Sequence, residues 1–383
     1  MRTALFTLAG VLLLALVLYD VYATILRATK RPGPISEQLN HGMWWTASAI
    51  SRRMGRRWRH RVLTAAGPLL LPILISILIV LLIVGFALVY MPRINTSFVV
   101  SESARTTPWL QSLYFSGVTL LTIGYGDILP KTSGMRTLAL VEGAAGIAVI
   151  SLSITYLLTV YSALERKRAL ALSFYHQARQ GADVAGFITR RLTRGRLLGL
   201  TDTLRTATRD LHELLESHVE HPIIHYFHPL EVYKGLPRAL FVILETATIV
   251  DSCLDRQEYV EADDHPDVEV AGESARHVLL ELVTSLNVQD RATEAFETPD
   301  EERARRRRCF RRATRRLREA GVKVREDHEQ AYAEYATWRD GWERQLYWFA
   351  LFLGYDWDEV SGDRELSDAT DDEIEERHAQ ATV

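Results

Sequence analysis

The chain has 383 residues, 48% of them hydrophobic, a formal net charge of −3 and two cysteines, Cys253 and Cys309. That length holds two or three domains, and the two distant cysteines exclude both a disulfide framework and a thiolate zinc site. The apolar residues concentrate in three spans, Leu5 to Leu26, Leu69 to Tyr90 and Thr137 to Tyr161. As a helix, each is long enough to cross about 30 Å of hydrocarbon, so an integral membrane protein is expected.

The first span has an apolar run too long for a signal peptide, and no small-residue cleavage site follows it. The segment from Arg27 to Gly67 carries Arg27, Lys30, Arg31, Arg52, Arg53, Arg56, Arg57, Arg59 and Arg61 against the single acid Glu37. Such an excess of basic residues marks a cytoplasmic loop and places the N-terminus outside. Asp20, near the inner end of the first span, is expected at interface level or paired with Arg27. Met43, Trp44, Trp45, Ile50, Met54 and Trp58 alternate with arginines, a composition that suits a helix lying on the inner leaflet, with anionic lipid at Arg52–Arg61. Membrane spans on both sides argue against nucleic acid there.

Beyond the second span, Thr106 or Thr107 and Pro108 mark a helix start. An apolar run through Trp109, Leu113, Phe115, Val118 and Leu121 continues it. This short helix would point its carbonyl end, the negative end of its dipole, at the segment Thr122-Ile123-Gly124-Tyr125-Gly126-Asp127. Two glycines around a tyrosine permit backbone conformations in which successive carbonyls face one axis, and rings of carbonyls replace a cation's hydration shell. Non-helical backbone at this depth is tolerable only where it is buried in protein and lines a wet cavity.

The stretch from Thr119 to Pro130, TLLTIGYGDILP, resembles the pore signature of tetrameric potassium channels, and the likeness extends over about Leu69 to Leu164. It implies that K⁺ binds at Thr122, Ile123, Gly124 and Tyr125 within a filter closed by Gly126. It also implies that Tyr114 on the pore helix hydrogen-bonds Asp127 in support. Two positions depart from the family: Leu121 stands where a threonine is common, and Val118 where many members carry a carboxylate behind the filter. Gly146 has the spacing of the family's gating hinge, although a packing glycine would read the same way. Below it, Ile154, Tyr156, Leu157, Val160 and Tyr161 offer an apolar constriction, and Glu142 is placed to be wet or to support the pore helix. With one pore loop per chain, a ring of carbonyls requires a homotetramer. No span has the regularly spaced arginines of a voltage sensor.

The remainder is helical in pattern near Ser162–Arg179, Thr201–Glu220, Val232–Leu254, Val268–Leu286, Asp300–Ala320 and Asp327–Leu353. The expected fold class is therefore all-α: three transmembrane helices with a re-entrant pore helix, then an all-α cytoplasmic domain. The expected divisions are 1–67, 68–164 for the pore, 165–360 for the helical domain and an acidic disordered tail over 361–383. His218, His221, His225 and His228 surround Pro222 and Pro229; a structural turn is the first reading, with pH sensing and metal binding as alternatives. Ten arginines lie between Arg303 and Arg318. They read as a solvated face paired with acids such as Glu301 and Glu302, or as a site for an anionic ligand, and they would lower the thiol pKa of Cys309.

These readings amount to a prokaryotic potassium-selective channel of the cell membrane, with K⁺ as permeant ion and no other cofactor, gated through the helical domain and an unknown small ligand. A weakly selective cation channel, or a membrane-anchored sensor with a vestigial pore, is the alternative. No catalytic constellation appears, so no enzyme is expected.

Overall fold

The computed structural model describes residues 2–27, 32–179, 181–259, 266–289 and 297–366. They form two compact units: Met1–Ala49, Ala65–Ser162 and Val219–Ile224 make the first, and Ile50–Thr64, Ala163–His218 and His225–Val383 the second. The protein is an all-α membrane protein. Three helices are long and apolar enough to cross a membrane, spanning Thr3–Leu26, Arg56–Ser97 and Ser133–Tyr175.

In the first unit, helix α1 (Arg2–Val21) ends in a wider π turn over Tyr22–Leu26. It packs on helix α3 (Arg56–Tyr90) through glycines, since a Cβ on Gly10 would lie 2.6 Å from the carbonyl oxygen of Gly85. Close backbone approach of this kind gives dispersion contacts where no hydrophobic effect operates between helices. Helix α3 also runs through Pro68 and Pro72, so the expected boundary at 67/68 is not a break in secondary structure. Asp20 is fully buried. Rather than pairing with Arg27, it accepts from the backbone N–H of Ile35 at 2.7 Å and of Ser36 at 3.2 Å, and from the Ser36 hydroxyl. These groups open helix α2 (Pro34–Ser51), so an acid read as interfacial is a helix cap held 15 residues away in sequence.

The aromatic and arginine run from Met43 to Trp58 is not one helix. It breaks at residues 52–55, between the end of α2 and the start of α3. Trp44 faces inward while Trp45 is exposed.

After α3 the chain makes a single helical turn, α4 (Ile94–Ser97), and strand β1 (Phe98–Val100). The pore helix α5 (Pro108–Leu120) comes next, then strand β2 (Ile128–Pro130) and helix α6 (Ser133–Tyr175). Strands β1 and β2 pair antiparallel with Val99 opposite Leu129, a pairing that no alternation in so short a stretch announces. Tyr90, Phe98 and Phe115 meet edge-to-face with centroids 5.0–5.6 Å apart, and form the centre of this unit's core with Phe86, Leu120 and Ile128.

The second unit is built around α9 (Leu236–Cys253), in which every residue except Asp251 is buried. A helix buried on all sides belongs at the middle of a bundle. It is preceded by α7 (Val184–Thr189), a tight hairpin β3 (Leu192–Thr193) to β4 (Arg196–Leu197), and α8 (Leu200–Glu220). Around it pack α10 (Pro266–Ser285), α12 (His328–Asp340), α13 (Glu343–Phe352) and α14 (Trp357–Ser361), with α11 (Pro299–Glu319) against α7 and α12. The pattern expected as one helix over Asp327–Leu353 is two, because the chain turns at Gly341 and Trp342. The acidic segment expected to be disordered from Ser361 is folded through Leu366: Ser361 is buried, Asp363 pairs with Arg312, and Glu365 pairs with Arg238. The rest of that segment lies outside the described residues.

Candidate functional site

The pore helix starts at Pro108, whose missing N–H costs nothing at a helix N-terminus, and Gln111 N–H reaches back to the Thr107 carbonyl. Its last turn hands over directly to the filter segment. The N–H groups of Leu121, Thr122 and Ile123 donate to the carbonyls of Gly117, Thr119 and Val118 at 3.0, 3.1 and 2.9 Å. Thr122, Gly124 and Gly126 have φ of 57°, 69° and 78°, whereas Ile123 and Tyr125 stay at negative φ. In an ordinary strand successive peptides alternate sides; alternating the backbone hand turns successive carbonyls toward the same side. Thr122 is the one residue of the three with a side chain to strain, a feature the glycines alone do not reveal.

Beyond Gly126, Tyr114 donates its hydroxyl hydrogen to Asp127 at 2.8 Å, and its ring stacks parallel to that of Tyr125 with centroids 6.4 Å apart. The carbonyl of Asp127 accepts from Ser101 N–H at 2.9 Å, so the residue after β1 pins the segment just outside the filter. The structure thus brings together Tyr114, Asp127 and the whole run from Thr122 to Gly126.

Helix α6 runs behind the pore helix. A Cβ on Gly146 would lie 2.1 Å from the carbonyl oxygen of Leu120, and one on Gly143 would lie 3.8 Å from that of Thr119. Helix α6 is unbroken across Gly146, where the bare Cα makes room for the end of the pore helix. One turn earlier, Glu142 is buried between Tyr90 and Ser116, supporting the pore helix rather than meeting water. Of the five residues expected at a constriction, Tyr156 and Val160 are buried within the chain. The open stripe on this helix is Ile147, Ile150, Ile154, Leu158 and Tyr161, at the spacing of one helical face.

An ion-channel family model matches residues 76–163, which hold the pore helix, the filter segment and most of both flanking spans. The uncharacterized membrane protein YdjJ of Bacillus subtilis (strain 168) is 30% identical over 245 residues, 64% of this chain and 69% of its own. Short matches run to two named channels. One is two pore potassium channel b of rice, 43% identical over 49 residues, or 13% of this chain and 14% of that one. The other is the potassium channel protein kcv of Paramecium bursaria Chlorella virus 1, 38% identical over 42 residues, or 11% and 45%. The chain belongs to the same family of membrane proteins as YdjJ, and its residues 76–163 form an ion-channel domain. It is a channel protein rather than an enzyme. No solved structure matches it significantly.

Most of the channel's other candidate groups lie in its second unit, with His221 in the first, and burial decides their chemistry. His218, His225 and His228 are buried, with the His218 and His225 rings 4.8 Å apart. Nδ1 of His60 is 2.7 Å from Nε2 of His228, and the other His60 nitrogen is 3.3 Å from Glu359. Among the described residues no three His, Cys, Asp or Glu groups gather as a metal site. Burial, reinforced by the Lys167 ammonium, pushes His218 down to about 3; burial and then the neighbouring His60 do the same for His228. Burial and the adjacent His218 also lower His225. In the unfolded chain these imidazoles take up protons near pH 6.5. Their contribution to stability is therefore complete above that pH and is lost as pH falls toward 3. Between pH 8 and pH 5 the loss is about 2 kcal/mol for each of His218 and His228. Urea midpoints of the second unit at those two pH values should show it, and His218→Gln should flatten the slope; an unchanged midpoint would contradict this account.

The arginine-rich helix α11 is not a solvated face throughout. Arg305 and Arg306 are buried against Glu343, Arg316 pairs with Asp183 at 2.7 Å and Arg307 with Glu329 at 3.2 Å. Glu301, expected as an arginine partner, closes a capping box with Thr298 instead. Cys309 lies among these arginines, yet burial outweighs them and pushes its thiol up, the reverse of the sequence expectation. At the basic stretch read as a lipid site, Arg56 and Arg59 are engaged by Asp356 at 2.6 and 2.8 Å.

Proposed function

We propose that this channel conducts K⁺ selectively, through a filter in which the carbonyls of Thr122, Ile123, Gly124, Tyr125 and Gly126 take the place of water around the ion. The observation that carries the reading is the alternation of backbone hand at Thr122, Gly124 and Gly126, on a segment hung from the last turn of the pore helix. One chain supplies one wall, so a homotetramer completes the pore. The exposed stripe from Ile147 to Tyr161 on α6 fits the inner lining below the filter. The charge of residues 27–67 supports a cytoplasmic location for that segment and for the helical domain, with the N-terminus outside. In this reading the helical domain biases the inner helices through a ligand that binds its open and closed forms unequally.

The test is K⁺ and Na⁺ flux of the purified full-length protein in liposomes. The parent should pass K⁺ in clear preference to Na⁺, and Gly124→Asp should abolish conduction. At φ 69° a side chain is strained, and a carboxylate there would both distort the filter and hold the ion. Equal flux of both ions would favour the weakly selective alternative, and parent flux that survives Gly124→Asp would remove the filter from the conduction path.

A further inference from the structure

Behind the filter, three oxygen-bearing side chains share fewer hydrogens than their contacts require. Glu142 of α6 is fully buried. The Tyr90 hydroxyl lies 2.9 Å from one of its carboxyl oxygens, and Ser116 Oγ of the pore helix lies against the other. Ser116 Oγ is also 2.9 Å from the carbonyl oxygen of Ile83 on α3. Three oxygen–oxygen contacts need three hydrogens, and the two hydroxyls supply two. A carbonyl and an ionised carboxylate only accept, so the third has to come from Glu142 itself.

We infer that Glu142 is a positioning residue of the filter, a neutral carboxylic acid that donates to Ser116 while Ser116 donates to Ile83 and Tyr90 donates to Glu142. The chain of three hydrogen bonds ties the pore helix to the spans on either side of it. An ionised carboxylate in this place would be desolvated without a cation partner and would leave the Ser116–Ile83 contact without its hydrogen, two unfavourable terms that the neutral acid avoids. The effect on the ion is mechanical. The turn that Ser116 opens is the one whose Gly117, Val118 and Thr119 carbonyls hold the N–H groups of Leu121, Ile123 and Thr122, so a shift of the pore helix moves the filter entrance with it. The inference rests on the reading of Thr122 to Gly126 as the conducting filter and deepens it.

The experiment compares K⁺ and Na⁺ flux of the full-length protein carrying Glu142→Gln, Glu142→Ala or Ser116→Ala, together with the infrared carbonyl stretch of a protonated carboxylic acid in parent and Glu142→Gln. Glutamine keeps both functions, an N–H toward Ser116 and a carbonyl toward Tyr90, and should retain the parental K⁺ over Na⁺ ratio within about twofold. Glu142→Ala and Ser116→Ala should lower that ratio about tenfold or more, each losing two buried hydrogen bonds. The protonated-acid band should be present in the parent and absent from Glu142→Gln. A Glu142→Gln channel as poor as Glu142→Ala, or a parent without the band, overturns the inference, since the carboxylate's charge would then be what matters. An unaltered ratio in Glu142→Ala overturns it too, leaving the cluster as packing. A parent that fails to distinguish K⁺ from Na⁺ while the band is present and Glu142-dependent would mark failure of the filter reading instead.

Discussion

Gly146→Ala is expected to cut K⁺ flux at least tenfold and to lower the K⁺ over Na⁺ ratio, with the protein still inserted in the membrane. Alanine is the better helix former by about 1 kcal/mol, so the substitution favours α6 locally. Against that, its Cβ would lie 2.1 Å from the carbonyl oxygen of Leu120, inside any real contact distance, and 3.0 Å from the carbonyl carbon. These are backbone atoms and no rotamer change moves them away. Overpacking of this kind costs about 1–3 kcal/mol in each chain, and in the proposed homotetramer the strain would be repeated in every copy. Relief means moving either α6 or the end of the pore helix, and the latter carries the hydrogen bonds that hold Leu121, Thr122 and Ile123. The same variant separates the two roles proposed for this glycine. A packing role changes selectivity, because the filter entrance is displaced; a pure hinge role leaves selectivity intact and lowers only the fraction of time the pore is open. Liposome flux of both ions, with single-channel recording for open time, reads the two apart, and a variant identical to the parent in both would dismiss each role.

Much of this molecule is legible in its residues because the determining interactions are local. The three spans follow from hydropathy, and the pore helix from Pro108 and the apolar run after it. The paired glycines at 124 and 126 announce positive φ because only glycine adopts it freely. Tyr114 and Asp127 are within reach of sequence only through likeness to a family, since their 13-residue separation crosses a helix, a filter and a turn. The features hidden from sequence are long-range. Asp20 looks like an interfacial acid until the amide groups at the start of α2 are found around it. Glu142 is visible as an acid in a span, but its position between Tyr90 and Ser116 depends on three helices meeting. The strand pair β1–β2 joins two three-residue segments, too short for an alternating pattern to register. Tyr156 and Val160 suggest a constriction because they are apolar and below the filter, whereas facing direction along a helix that is apolar on most sides cannot be deduced from composition.

The charge runs show the same limit, and they carry the last expectation. Removing the carboxylate of Glu343 should unfold the second unit at ordinary temperature or bring it close to that point. Glu343 opens α13 and is fully buried. Arg305 reaches it at 2.7 Å, Arg306 at 2.6 Å, and Arg339 binds it directly, while Arg339 also holds Glu245 of the central helix at 2.7 Å. One acid thus serves three buried guanidiniums from α11 and α12, and guanidinium does not neutralise itself by losing a proton. The three arginines, with burial opposing them, hold the Glu343 carboxyl down to about 2. Its contribution is therefore present above about pH 4.5 and is lost as pH falls through 2, a window that begins below that of the histidines and overlaps its lower end. Forming such a cluster yields little net stability because desolvation opposes it, yet breaking one buried partner out of it costs about 3–5 kcal/mol. Native domains hold only about 5–15 kcal/mol in all, so Glu343→Ala removes a large share. Glu343→Gln should fall between parent and alanine, since an amide keeps a hydrogen-bond acceptor for one arginine but none of the charge. Pairing Glu343→Ala with Arg305→Met and Arg306→Leu should recover only part of the loss, because two of the three guanidiniums leave with the carboxylate while Arg339 stays, and Glu297, Glu302 and Asp340 lose the arginines they also pair with. Thermal unfolding of the full chain, followed by the near-ultraviolet signal of Trp342 and Trp357, is the measurement; a midpoint within a degree or two of the parent for Glu343→Ala would show that the arginines find other partners and that this cluster does not hold the unit together.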